Sequence, residues 1–220
     1  MTRSCEHDPI AVLTAARKVA DFASNQGLTE ARLTKRMVCN HMGAVLADTA
    51  LQAGLRYSTV VRPRVTNILN QHPQADTISA LIGIINDGET GAFLQWSHHQ
   101  KIARFERIVA FLYYEDVQDV EDLKQKYKTD EFGAAFQKVN GVGPKTVDYL
   151  ACLIGIESIA VDRHIRTFAK RVGVDADDYG FLKHVFCYAA DLLSVSRREF
   201  DGWIWQVESL KGSRQLSFAI

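Results

Sequence analysis

A glycine hairpin set between two helical patterns constrains this chain more than any other feature. Residues 139–166 read VNGVGPKTVDYLACLIGIESIAVDRHIR. Gly141-Val142-Gly143 interrupts an apolar pattern, and Pro144 and Lys145 open a new helix. Asp162, seventeen residues after the lysine, opens another. Proline suits the first helical position because the N–H it lacks would go unbonded there anyway. Two glycines around one residue let the backbone approach a ligand closely and turn its N–H groups the same way. The fresh helix start beyond them adds partial positive charge. These elements together describe a phosphate site at Gly141, Val142, Gly143 and Thr146. A positive φ is expected at Gly143, which a β-branched side chain would disfavour. One primary amine and one carboxylate nearby in sequence add the capacity for chemistry.

The rest of the chain reads as helix. Asp8-Pro9 begins a helix that Gly27 stops, and Val12, Ala15, Val19 and Phe22 form its apolar stripe. A second helical run covers about 29–54, and Ser58 looks like the cap of a third that ends near His72-Pro73. Further helices are expected over 77–86, 99–114, 119–127 and 129–139. After the hairpin, Val147, Leu150, Ala151 and Ile154 share one face, as do Ile165, Phe168, Ala169 and Val172 in the next helix. Ser196-Arg197-Arg198-Glu199 is a capping box for the last helix. No segment sustains the period-two alternation of a strand, and no repeat or low-complexity linker divides the chain. The fold class is all-α.

Charge narrows the partners. Lysine plus arginine and aspartate plus glutamate each number 26, so the net charge is zero. A strongly electrostatic nucleic-acid binder would be basic, so zero net charge counts mildly against a nucleic-acid partner, although the distribution of charge matters more than its sum. Basic residues do cluster, at Arg56, Arg62 and Arg64, at Lys124, Lys126 and Lys128, at Arg163, Arg166, Lys170 and Arg171, and at Arg197 and Arg198. Apolar runs fall short of the roughly 18–20 residues a membrane span needs. MTRSCEHDPI carries no apolar signal core, so a protein that is not secreted, cytoplasmic at the nucleoid or nuclear, is expected. Cys5, Cys39, Cys152 and Cys187 are too scattered for a zinc site or a disulfide framework, and no side-chain metal site is expected.

The hairpin run resembles the helix-hairpin-helix superfamily of base-excision DNA glycosylases, that of endonuclease III and 8-oxoguanine glycosylase. The resemblance rests on Val139-Asn140-Gly141-Val142-Gly143-Pro144-Lys145-Thr146-Val147 followed by Val161-Asp162-Arg163-His164-Ile165-Arg166. It is close over roughly residues 136–172 and looser upstream from about 97. Asn140 stands where the family usually has proline, which removes no chemical group. The resemblance implies two helical lobes: a central barrel over 33–158 that carries the hairpin, and a second lobe from 1–32 with 159–220. It also implies a monomer acting on duplex DNA with a damaged base or abasic site, and a sodium or potassium ion at the hairpin carbonyls. Many endonuclease III relatives end in a four-cysteine loop; the C-terminal segment here has no cysteine, so no iron–sulfur cluster is expected.

The same resemblance assigns roles to individual residues, each beside a plainer reading. Lys145 is implied to attack C1′ of the damaged nucleotide; otherwise it contacts phosphate. Asp162 is implied to stabilise charge developing on the sugar, and it also looks like an ordinary N-cap. His164 fits the family pattern or serves as a local hydrogen-bonding residue. Gln52 lies about where relatives place the wedge that fills the hole left by a flipped base. Tyr149, Trp203 and Trp205 could stack on that base, although aromatics at helical spacing are usually core. Asp148 could meet a base edge or face solvent. The function expected is a bifunctional glycosylase/AP lyase excising a damaged, oxidised base through a lysine Schiff base. The alternatives are a non-catalytic helix-hairpin-helix DNA-binding protein and a monofunctional glycosylase.

Overall fold

The computed structural model describes residues 7–28, 33, 35 and 37–216. Among them the chain is all-α, with twelve α-helices and one π-helical turn and no strand. In order these are α1 Pro9–Asn25, α2 Met42–Leu51, the π turn Tyr57–Val61, α3 Arg62–Gln71, α4 Ile78–Asn86, α5 Thr90–Leu94 and α6 His99–Tyr114. They continue with α7 Val120–Lys126, α8 Asp130–Phe136, α9 Pro144–Leu153, α10 Arg163–Arg171, α11 Tyr179–Leu192 and α12 Arg197–Leu216. Among the described residues no helix is long and apolar enough to cross a membrane.

The chain divides into two compact units, one spanning Met37–Ile156 and the other made from the segments before and after it. The first unit is built around α2. Its sequence, MGAVLADTAL, is apolar on nearly every face, and all ten residues are buried, as expected of a central helix rather than a surface one. Ile78 and Leu81 of α4, Phe105, Ile108, Val109 and Leu112 of α6, and Phe132 and Phe136 of α8 share its core. Val142 of the hairpin joins them, as do Val147 and Leu150 of α9. The second unit packs α1 against α11, burying Ala16, Val19, Ala23, Leu182, Phe186 and Ala190, with Phe168 of α10 and Phe200 of α12 in the same core.

Several expected elements stand where the pattern put them. Asp8 accepts from the Ile10 N–H at 3.0 Å and caps α1, and Gly27 follows its end with φ +83°. Ser196 Oγ accepts from Glu199 N–H at 3.3 Å at the start of α12.

The structure differs from the sequence pattern in four places. Among the described residues the run expected over 29–54 is helical over Met42–Leu51; residues 29–32, 34 and 36 lie outside the described residues. The start is set by His41, whose Nδ1 accepts from Ala44 N–H at 3.1 Å while Nε2 lies 3.0 Å from the His72 carbonyl. Ser58 is no cap. It sits inside the π turn, where Val60 and Val61 N–H groups both reach the Arg56 carbonyl. Pro63, which lacks an N–H, follows in the first turn of α3. The expected 129–139 helix is the shorter α8. Helices α5 and α11 were not read from the pattern; α11 is apolar on most faces, which blurs a stripe, although Asp178 caps it by accepting from Phe181 N–H at 2.6 Å.

Candidate active site around Lys145

The hairpin begins where α8 ends. Val142 N–H donates to the Val139 carbonyl at 2.9 Å and its side chain enters the first unit's core, which closes the turn. Gly141 carries the positive φ, +91°, whereas Gly143 is extended at φ −106°, ψ 177° and serves as N-cap of α9. This corrects the expectation that Gly143 is the residue needing a left-handed backbone. The four expected phosphate donors also separate. The N–H groups of Gly141 and Gly143 make no hydrogen bond among the described residues. Those of Val142 and Thr146 are taken internally, the latter by the Gly143 carbonyl at 2.9 Å, and the Thr146 side chain is buried. Two N–H groups, not four, are open to an anion.

The two glycines should therefore respond differently to substitution. A Cβ at Gly141 would lie 2.9 Å from Arg104 Nε, on a backbone that L side chains rarely adopt; at Gly143 it would meet nothing within 4 Å. Gly141→Ala is expected to lower unfolding free energy by about 1–2 kcal/mol. Gly143→Ala should stay within about 0.5 kcal/mol of the parent. Urea unfolding of both variants checks this, and equal losses would contradict the assignment of φ.

Lys145 is the second residue of α9 and turns back toward α2. Its Nζ donates to Gln52 Oε1 at 2.7 Å and lies 5.9 Å from the centre of the Tyr149 ring, one turn further along α9. Tyr149 is held in turn. Its hydroxyl donates to Asp48 Oδ1 at 2.7 Å, and the Tyr57 hydroxyl donates to Oδ2 at 3.1 Å. Asp48 is only 3% exposed, so two phenols hold a carboxylate that would otherwise be costly to bury. Gln52 thus holds the lysine through its side-chain oxygen. Its Nε2 is buried without a hydrogen-bond partner.

Behind Gln52 stands Lys101 of α6. Its Nζ donates to the carbonyls of Ala50 at 3.3 Å, Leu51 at 3.2 Å and Ala53 at 2.6 Å, satisfying acceptors that the end of α2 leaves open. Burial, then Arg104, then Lys145 push the Lys101 ammonium down to about 8. A folded-state value below the unfolded one means the unfolded chain binds more protons between about pH 8 and the ordinary lysine range. Stability linked to Lys101 should therefore rise with pH through that window. Relative to Lys101→Met, the parent should gain Tm between pH 8 and 10; a parallel pair of Tm profiles would contradict it.

Each of the other expected site residues has its own local setting. Asp148 is buried at 6% exposure, close enough to Tyr127 for its charge to help burial raise that phenol. It therefore does not face solvent. In the second unit Asp162 caps α10: Oδ1 accepts from His164 N–H at 2.7 Å and Ile165 N–H at 3.1 Å. Oδ2 makes no hydrogen bond among the described residues. His164 lies edge-on to Trp205 with ring centres 6.2 Å apart, and Trp203 is buried against Phe168 and Phe200. Much of the clustered basic charge is structural. Arg64 donates to the Val60 and Gln95 carbonyls, Arg171 pairs with Glu208, and Arg197 pairs with Asp191 at 2.7 Å. Among the described residues no group of three or more histidines, cysteines or carboxylates could hold a metal.

Asp48, Tyr57, Lys101, Arg104 and Arg107 join the site only in the structure. The last three carried a usable signal, since cations at 101, 104 and 107 share one face of a helix. Asp48 and Tyr57 had none, because their contacts join distant segments. Comparison with family models, curated proteins and solved structures finds no match to this chain.

Proposed function

We propose that this chain is a bifunctional DNA glycosylase/AP lyase that removes a damaged base from duplex DNA. The observation that carries the reading is the placement of Lys145: second residue of the helix that follows the glycine hairpin, its amine held by Gln52 and set over Tyr149. Open N–H groups at Gly141 and Gly143 are suited to a backbone phosphate. A phosphate held there brings the sugar of a flipped nucleotide within reach of the amine that follows.

The chemistry then runs through Lys145. The neutral amine's lone pair attacks C1′, the bond from C1′ to the base breaks, and the base leaves with the electron pair and takes up a proton. Opening of the sugar ring gives the protonated Schiff base. Loss of a proton from C2′ then expels the 3′ phosphate by β-elimination, and water releases the lysine. The family resemblance assigns the carboxylate that stabilises positive charge on the sugar to Asp162, whose Oδ2 is the oxygen its cap leaves over. This sequence of steps requires no cofactor.

The test is borohydride trapping on a panel of duplexes carrying oxidised, alkylated and deaminated bases and an abasic site. A covalent protein–DNA adduct with the abasic duplex and with one oxidised lesion is expected. Duplex binding without any adduct would leave a non-catalytic binding protein or a monofunctional glycosylase, and overturn the lyase assignment.

A further inference from the structure

Helix-hairpin-helix resemblance brings the expectation of a sodium or potassium ion held by hairpin carbonyls; three of those carbonyls are already engaged here, while those of Gly141 and Val142 accept no hydrogen bond among the described residues. The Val139 carbonyl accepts from Val142 N–H at 2.9 Å, and the Gly143 carbonyl accepts from both Thr146 and Val147. The Asn140 carbonyl is taken by Arg107 Nε at 3.2 Å. Arg104, one turn earlier on the same face of α6, lays its guanidinium against Gly141, so close that a Cβ there would lie 2.9 Å from Nε and 3.4 Å from Nη2. Its Nη1 is buried with no hydrogen-bond partner. An under-bonded, partly desolvated guanidinium projects more field onto its surroundings than a solvated one. Two fixed cations at the turn repel a third, and one carbonyl that could face it already faces an arginine.

We propose that Arg104 and Arg107 take the electrostatic place of a hairpin cation, so that the hairpin meets a DNA phosphate with its own N–H groups backed by two guanidiniums and needs no monovalent ion. The inference rests on the DNA reading above and adds its ion requirement. It also reconciles a net charge of zero with anion binding, because the charge is built in at the turn. Gly141 becomes essential for a second reason: without a side chain there, Arg104 can pack on the turn.

The experiment measures binding of a fluorescent duplex with a tetrahydrofuran abasic analogue, in potassium, sodium and tetramethylammonium chloride at equal ionic strength. Tetramethylammonium is too large for a carbonyl cage. Wild type is expected to bind within about twofold in all three, since counterion release depends on phosphates neutralised rather than on the cation's identity. Arg104→Met and Arg107→Met should each weaken binding by about fivefold to tenfold and flatten the salt slope by about one unit. In Arg107→Met, which frees the Asn140 carbonyl, potassium should restore binding that tetramethylammonium does not. Wild-type binding that falls tenfold or more in tetramethylammonium alone would overturn the inference and leave the DNA reading standing. So would folded methionine variants that bind as wild type does. Absence of duplex binding in every salt would overturn the DNA reading, and this inference with it.

Discussion

Lys145→Gln is expected to abolish the borohydride-trapped adduct, a loss of at least about 10⁴-fold, while leaving the fold intact. Glutamine has no amine to form a Schiff base, yet it is a good helix former and its carboxamide can still meet Gln52. Removing a cation from the positive end of α9 should even be neutral to slightly favourable for stability, by a few tenths of a kcal/mol. Lys101 is the nearest rival amine, and its depressed ammonium at first makes it look the better nucleophile. Geometry decides otherwise. Its three protons are aimed at the carbonyls of Ala50, Leu51 and Ala53, and attack on C1′ would require it to leave all of them. An adduct that persists at wild-type yield in Lys145→Gln would contradict the assignment.

Asp162→Asn is expected to lower turnover by about 10²–10³ with little change in Tm. Both cap bonds run to Oδ1, and an asparagine oxygen caps a helix about as well as an aspartate oxygen. The cap therefore survives while the negative charge on the other oxygen is lost. Asp162→Ala removes cap and charge together and should cost about 1 kcal/mol of stability in addition. The pair of variants separates the two roles. If Asn lowers stability and activity as much as Ala does, the carboxylate is a cap and nothing more.

The all-α class was legible because helical stripes and caps recur along most of the chain and period-two alternation is absent. α1 and α10 show how: Asp8 and Asp162 cap them, and the apolar positions of each lie on a face that is buried in the structure. Where the reading failed, distant groups had decided the outcome. The start of α2 depends on His41 reaching His72, thirty-one residues away, and no local pattern shows that. Near the lysine, the hairpin and the amine were visible because glycine spacing and the helix start are local signals. Their supports were not, since Gln52 joins Lys145 across ninety-three positions and Asp48 joins Tyr149 across one hundred and one. The turn that carries Gln52 suggests a wedge from the sequence, and the side-chain direction adds its bond to the amine, which no local pattern shows. The exchange of φ between Gly141 and Gly143 is subtler, because a Gly-x-Gly pattern does not reveal which glycine is left-handed.

The most direct measurement is the site of attachment. Wild-type protein is reduced onto an abasic duplex with borohydride, digested with protease and nuclease, and the modified peptide sequenced by mass spectrometry. The remnant sugar is expected on Lys145, within the peptide that begins at the hairpin; attachment at Lys101, at another lysine or at the N-terminal amine would contradict the assignment of Lys145 as the nucleophile.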